Sequence, residues 1–157
     1  MLSYAKKKAN AQGILNTEFV RPRFLTYRHQ VPPVDVVITQ LTIHYLPDFW
    51  KQVAIIGMAS YLKDGGKLYL RDFIYSFDSH EYHCIFEDYL TKIREASGEG
   101  STKYTISHIK DQFSTFDWVI EGMLERAGFN VNRVDRDDGL TASFLCTKIP
   151  KGNTNYS

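Results

Sequence analysis

The chain has 157 residues, 43% of them hydrophobic and 14% aromatic, with 19 basic against 18 acidic side chains. That balance is the composition of one globular domain and excludes both a disordered chain and a second full domain, because a chain of this size can remove roughly 70% of its unfolded surface from water. A formal charge of +1 and a pI near 7.8 leave no electrostatic footprint for a nucleic acid or an anionic membrane, so partners have to be argued from sites.

Leu2, Tyr4, Ala5 and Ala9 predict a short helix to about Gln12, ended by Gly13. Residues 16–20 read as a brief strand, and Arg21-Pro22 with Val31-Pro32-Pro33 punctuate the loop that follows. Val34 to Gln40 is a β-branched apolar run of the kind that a strand buried on both faces of a parallel sheet requires. Pro47 and Asp48 open a helix of about four turns with Trp50, Val53, Ala54, Gly57, Tyr61 and Leu62 at helical spacing. Lys63-Asp64-Gly65-Gly66 breaks it, and residues 67–75 form a second strand. Residues 78–96 are aromatic and charged with a helical tendency, whereas the composition of residues 96–102 predicts a flexible loop. Ser114 is expected to cap a helix carrying Phe116, Val119, Ile120, Met123, Leu124 and Ala127 on one stripe, with Gly128 behind it. Residues 129–134 and 142–148 give two closing strands, and 149–157 a frayed tail. Strands alternating with helices before a closing pair imply a mostly parallel α/β sheet with one antiparallel strand at its C-terminal edge. Cys84 and Cys146 have no metal-like spacing and are expected to be thiols in a reducing compartment. With no run approaching ~18 apolar residues and no apolar core behind Lys6, Lys7 and Lys8, a soluble cytoplasmic protein without a membrane partner is expected.

The stretch from Asp35 through Thr39, Gln40, Leu41 and His44 to Leu46-Pro47-Asp48, followed by Leu62-Lys63-Asp64-Gly65-Gly66-Lys67-Leu68, resembles the class I S-adenosylmethionine-dependent methyltransferases in order and spacing. The segment from Glu121 to Phe129 resembles the family's helix before its sixth strand. The resemblance covers residues 1–148 and implies a Rossmann-like methyltransferase sheet with an insertion over the site at about 76–112. It departs from the family at Asp64, where a proline is common, and at Tyr45, where a second histidine is frequent. The family's first strand, its glycine-rich turn and its second strand have no counterpart, and the lone Gly98-Glu99-Gly100 lies far from any strand end. Such a sheet would expose strand edges. Direct pairing across the gap, strands supplied by a homodimer or partner chain, and an incomplete copy of a longer protein all remain open.

The resemblance implies S-adenosylmethionine as cofactor. Ligands of open α/β sheets bind beyond the carboxyl ends of the strands, so Thr39, Gln40, Leu41 and His44 are expected cofactor contacts, against the plainer reading of a strand end and a core leucine. Phe24 and Leu25 would sandwich the adenine or simply anchor their loop, while Arg23 does not fit the family's acidic role there. Methyl transfer needs alignment more than a base. Where the acceptor is a weakly acidic N–H or O–H, His44 at the mouth of the site is the first catalytic candidate and Asp72, ending the next strand, the second. Arg71 and Tyr75 are expected at the substrate, with an internal ion pair as the alternative for Arg71. Tyr75, Phe77, Tyr82, Phe86 and Tyr89 would form an aromatic cover over it or pack an inserted helix. His80, His83 and Cys84 lack a second ligand set, so no metal is expected. The acceptor is a small molecule or another substrate that the sequence does not name, and the near-neutral charge argues against a nucleic acid. The alternative is a non-catalytic descendant that works as a binding subunit. A dinucleotide oxidoreductase is disfavoured by the missing GxGxxG fingerprint.

Overall fold

The computed structural model describes residues 2–21, 25–29 and 32–150. Its centre is Leu62–Tyr75 (β2), where alternation puts Leu68, Leu70, Asp72 and Ile74 on a buried face and Lys67, Tyr69, Arg71, Phe73 and Tyr75 on the other. Val34–Gln40 (β1) pairs parallel to β2, Thr141–Lys148 (β5) pairs antiparallel to its other side, and Phe129–Asp137 (β4) pairs antiparallel to β5. The order β1-β2-β5-β4 is the mixed sheet the sequence implies, with Thr115–Phe116 (β3) adding a two-residue parallel bridge at the end of β2. The C-terminal strand is antiparallel as expected, but it lies one strand in from the edge, which β4 occupies. The reason is burial: Ala142, Phe144 and Cys146 of β5 are fully covered, whereas β4 exposes Asn130, Asn132, Arg133 and Arg136, the polar side chains that suit an edge.

One helical layer covers the buried face. Asp48–Tyr61 (α2) contributes Ile55, Met58 and Ala59, and Asp117–Arg126 (α4) contributes Ile120 and Leu124, to a core shared with Leu68, Leu70, Phe129 and Phe144. On the opposite face the cross-strand row Ile38–Tyr69–Leu145 leaves Ile38 69% and Leu145 40% exposed. The register of β1 and β2 slips where residues 63–66 loop out, between the pairs Val34–Leu62 and Val36–Lys67. Gly66 is required there, because a Cβ would come 2.9 Å from the carbonyl oxygen of Lys63 and 3.2 Å from that of Asp35.

Three local expectations are corrected. Residues 16–20 form no strand. Residues 96–102 lie in the helical segment Tyr82–Asp111 (α3), broken only at Gly98 by φ 77° and ψ 177°. The hydroxyl of Thr102 donates to the Gly98 carbonyl at 3.1 Å, so this residue of the segment read as a loop is accommodated within the helix, and Thr105 beyond it donates to the Ser101 carbonyl at 3.0 Å. Finally, α4 begins at Asp117 with Phe116 as its N-cap, because Thr115 and Phe116 are held by the bridge to β2, leaving Ser114 outside the helix. The remaining helix, Leu2–Ala11 (α1), ends as expected, with Gly13 at φ +68° and Ile14 N–H donating to the Ala9 carbonyl at 2.9 Å.

Candidate functional site

Beyond the carboxyl end of β1 the chain turns sharply through Leu41, whose φ of +49° is unusual for a branched residue, and enters a single 3-10 turn at Ile43–Tyr45. Asp72, at the matching end of β2 and 1% exposed, organises this turn. One of its oxygens accepts from the backbone N–H of Thr42 at 2.9 Å and of Ile43 at 2.7 Å. The other accepts from Nδ1 of His44 and from the N–H of Phe73 at 2.8 Å. Four donors therefore converge on one buried carboxylate, which leaves Asp72 no free lone pair for a substrate proton and makes it a positioning group.

Nδ1 of the His44 ring donates to Asp72, and its Nε2 is buried with no hydrogen-bond partner among the described residues. His44 is 2% exposed, so the expected place at the mouth of the site is corrected: it lies among Tyr45, Phe73 and His108, with ring centres 4.2, 5.2 and 5.1 Å away. His108, on the last turns of α3, lines the smaller of two cavities, and His29 lines the larger. The His108 pKa is lowered by burial and by the neighbouring His44, an effect that Asp72 partly offsets, so the ring is neutral at physiological pH. Sequence reasoning missed His108, which carries no motif and sits in a segment without clear periodicity. It also missed Lys51, 1% exposed, which donates to Asp48 at 2.7 Å and to the Phe113 carbonyl. The Phe113 N–H in turn donates to the His44 carbonyl at 2.8 Å, so this lysine and the turn hold residue 113 from both sides.

Two cavities flank this core. The larger, about 780 Å³, runs along the open side of β1 and α2 and is lined by Thr39, Gln40 and Thr42 together with Leu25, Val53 and Ile56. Thr39 Oγ1 is buried there without a hydrogen-bond partner among the described residues. Leu25, Thr39 and Gln40 line this one cavity, whereas Leu41 and His44 do not. Phe24 and Arg23 lie outside the described residues. The smaller cavity, about 210 Å³, lies between β2 and α3 and is lined by Phe73, Tyr75, Tyr89, Tyr104 and His108 among others. Of the expected aromatic cover, Tyr75, Phe77 and Phe86 come together at ring-centre distances of 5.4 to 5.7 Å and are joined by Phe116. Tyr82 turns away to stack near His83 at 4.0 Å. Arg71 pairs with Asp137 at 3.3 Å, the internal alternative, and lines neither cavity.

No model of a known protein family matches the chain, and no curated protein matches it in sequence. Its fold does have counterparts among solved structures. Magnesium protoporphyrin IX methyltransferase from Synechocystis, solved with bound S-adenosylhomocysteine, aligns over 94% of this chain and 59% of its own, at a TM-score of 0.63 and 15% identity. An O-methyltransferase family protein from Burkholderia thailandensis gives 0.64 and 18% over 95% of this chain and 41% of its own. An O-methyltransferase family 2 protein from Planctomyces limnophilus, in complex with apigenin, gives 0.66 and 14% over 94% and 40%. The fold is therefore that of the class I S-adenosylmethionine-dependent methyltransferases, and the chain spans between about two fifths and three fifths of these three proteins. Among the described residues no helix is long and apolar enough to cross a membrane.

Proposed function

We propose that the protein takes part in methyl transfer from S-adenosylmethionine to a small-molecule acceptor. The observation that carries this reading is the convergence, at the carboxyl ends of β1 and β2, of a 780 Å³ cavity and a histidine turn held by a buried carboxylate, within a methyltransferase fold. The residues present fit the cofactor in part. Thr39 Oγ1 is a buried hydroxyl at the cavity with no partner among the described residues, Gln40 and Thr42 supply polar groups beside it, and Leu25, Val53 and Ile56 offer an apolar wall for a base. No carboxylate lines this cavity among the described residues, so the ribose hydroxyls would find only neutral or cationic partners.

When bound, S-adenosylmethionine supplies a methyl group already activated on a sulfonium sulfur, so the chain's task is alignment and exclusion of water. Thr39 and Gln40 would hold the methionine end. Asp72 fixes both Thr42, on the rim of the larger cavity, and His44, whose ring neighbours Phe73 and His108 line the smaller one. One carboxylate thereby sets the relative position of donor and acceptor sides. The His44–His108 pair takes up the acceptor's proton, with Tyr75 in the acceptor wall. Two free thiols fit a cytoplasmic setting. Photo-crosslinking with methyl-tritiated S-adenosylmethionine tests the placement: label should map to the peptide carrying residues 34–42, and label confined to α3 or β4 would refute it.

A second reading has its own observation. The outer edge of β1 has no strand beside it among the described residues, and Val36 and Ile38 next to it are 52% and 69% exposed. An open apolar edge of this kind takes a strand from another chain, as a binding subunit or homodimer would. Light scattering separates the two, since strand exchange predicts a dimer and a two-state monomer excludes it.

A further inference from the structure

We infer that the cavity between β2 and α3 is a binding site for a neutral single-ring phenol, which lies among Phe73, Tyr75, Phe86, Tyr89 and Tyr104 and donates its hydroxyl hydrogen to His108. The first argument is size. A buried cavity of about 150 Å³ accommodates benzene. At about 210 Å³ this one, open to solvent beside Tyr104, has room for a single ring with one to three further heavy atoms, and a three-ring ligand would have to project out of it.

The second argument is the wall. The lining rings already meet one another edge to face, Phe73 against His108 at 4.5 Å and Tyr75 against Phe86 at 5.6 Å. A further ring entering this nest finds the same edge and face positions, and each such contact adds to simple area burial. Leu140 and Ile109 complete the apolar lining.

The third argument is polarity. Burial pushes the phenols of Tyr75 and Tyr89 up, so neither is charged, and no lysine, arginine, aspartate or glutamate lines the cavity among the described residues. A carboxylate or ammonium ligand would be desolvated without a countercharge. Thr105 has committed its hydroxyl hydrogen to the Ser101 carbonyl. His108 has no hydrogen-bond partner among the described residues and, being neutral, keeps one ring nitrogen as an acceptor. A hydroxyl on an aromatic ring satisfies both demands together.

Binding in this cavity stands on its own geometry. That the phenol is also the methyl acceptor rests on the methyltransferase reading above.

The test is a fluorine NMR titration of the 157-residue chain with para-fluorophenol, without cofactor. Saturable binding is expected, with para-fluorotoluene weaker by about three- to tenfold for lack of the hydrogen bond, and a fluoroflavone weaker as well. His108→Phe should bring phenol and toluene to equal affinity, and Ile109→Trp, which fills the cavity from a half-buried helical position, should abolish both while the backbone spectrum stays folded. Absence of saturable phenol binding by the wild-type chain overturns the proposal, as does phenol binding unchanged in folded Ile109→Trp or a flavone that competes equally. Phenol binding that yields no methyl ether when S-adenosylmethionine is added supports the site and overturns the methyl-transfer reading.

Discussion

Replacing Asp72 by alanine should be among the most damaging single changes in this molecule, although it removes no apolar contact of note. The carboxylate accepts four hydrogen bonds, from the N–H groups of Thr42, Ile43 and Phe73 and from His44 Nδ1. Two of the donors, those of Ile43 and His44, belong to residues 1% and 2% exposed, where water cannot replace the lost acceptor. At about 1–3 kcal/mol for each stranded buried donor, with a smaller sum from the part-buried Thr42 and Phe73 groups, the loss comes to about 4 kcal/mol. That is a large share of the 5–15 kcal/mol by which domains of ordinary size are stable. With a urea slope of about 2 kcal/mol per molar, the unfolding midpoint should fall by about 2 M, and Asp72→Asn should fall by at least half as much because an amide cannot accept from all four donors. Circular dichroism during urea titration measures this. An alanine variant whose midpoint moves by less than about 0.5 M would show that the turn at residues 42–44 does not depend on the carboxylate.

Gly66→Ala should destabilise by about 1–3 kcal/mol, since its Cβ would press on two backbone oxygens that cannot yield, and differential scanning fluorimetry should show a drop of several degrees. His108 makes stability depend on pH in a definite direction: its folded pKa lies below 6.5, so the native state resists a proton that the unfolded chain takes up. Stability is then full above about pH 6.5 and declines as the pH falls toward the folded value, a dependence that His108→Gln should flatten in urea midpoints measured at about pH 7.5 and 5.5. The Cys146 thiol is buried and pushed up to about 12, while Cys84 is exposed. Iodoacetamide should therefore alkylate Cys84 alone in the folded chain, and mass spectrometry that finds Cys146 modified at a similar rate would contradict its burial. In a methyl-transfer assay His44→Ala should lower turnover by about 100-fold with little change in KM, and equal turnover would remove the histidine pair from proton handling.

Much of the fold was legible because its signals are local and periodic. The stripe of α2 and the alternation of β2 state their burial in the residues themselves, whereas the β-branched run of β1, read as a strand buried on both faces, lies at the sheet edge with Val36 and Ile38 exposed. The place of β5 was not, since a hairpin reads alike whether its second strand joins the sheet or faces solvent, and only the burial of Phe144 and Cys146 against β2 decides it. The helix through residues 96–102 was hidden by its glycines and small polar residues, of which Thr102 bonds backward to the Gly98 carbonyl in place of turning the chain. At the site, His44 and Asp72 were both singled out, but their relation, one carboxylate gathering three backbone donors and a ring, is a product of the parallel register that sets Gln40 beside Arg71. His108 reaches the site from an element distant in sequence, and Lys51, though close in sequence to the turn, acts through the distant Phe113 carbonyl, so no spacing rule points to either.

Methyl transfer by this chain requires the cavity along β1 to take the cofactor, and calorimetric titration of the 157-residue chain with S-adenosylhomocysteine measures this without knowledge of the acceptor. The expected result is one-site binding in the micromolar range, weakened about tenfold in Gln40→Ala by loss of a polar contact at the strand end. A chain that is folded by circular dichroism and gives no binding heat at several temperatures would contradict the methyltransferase reading for this polypeptide.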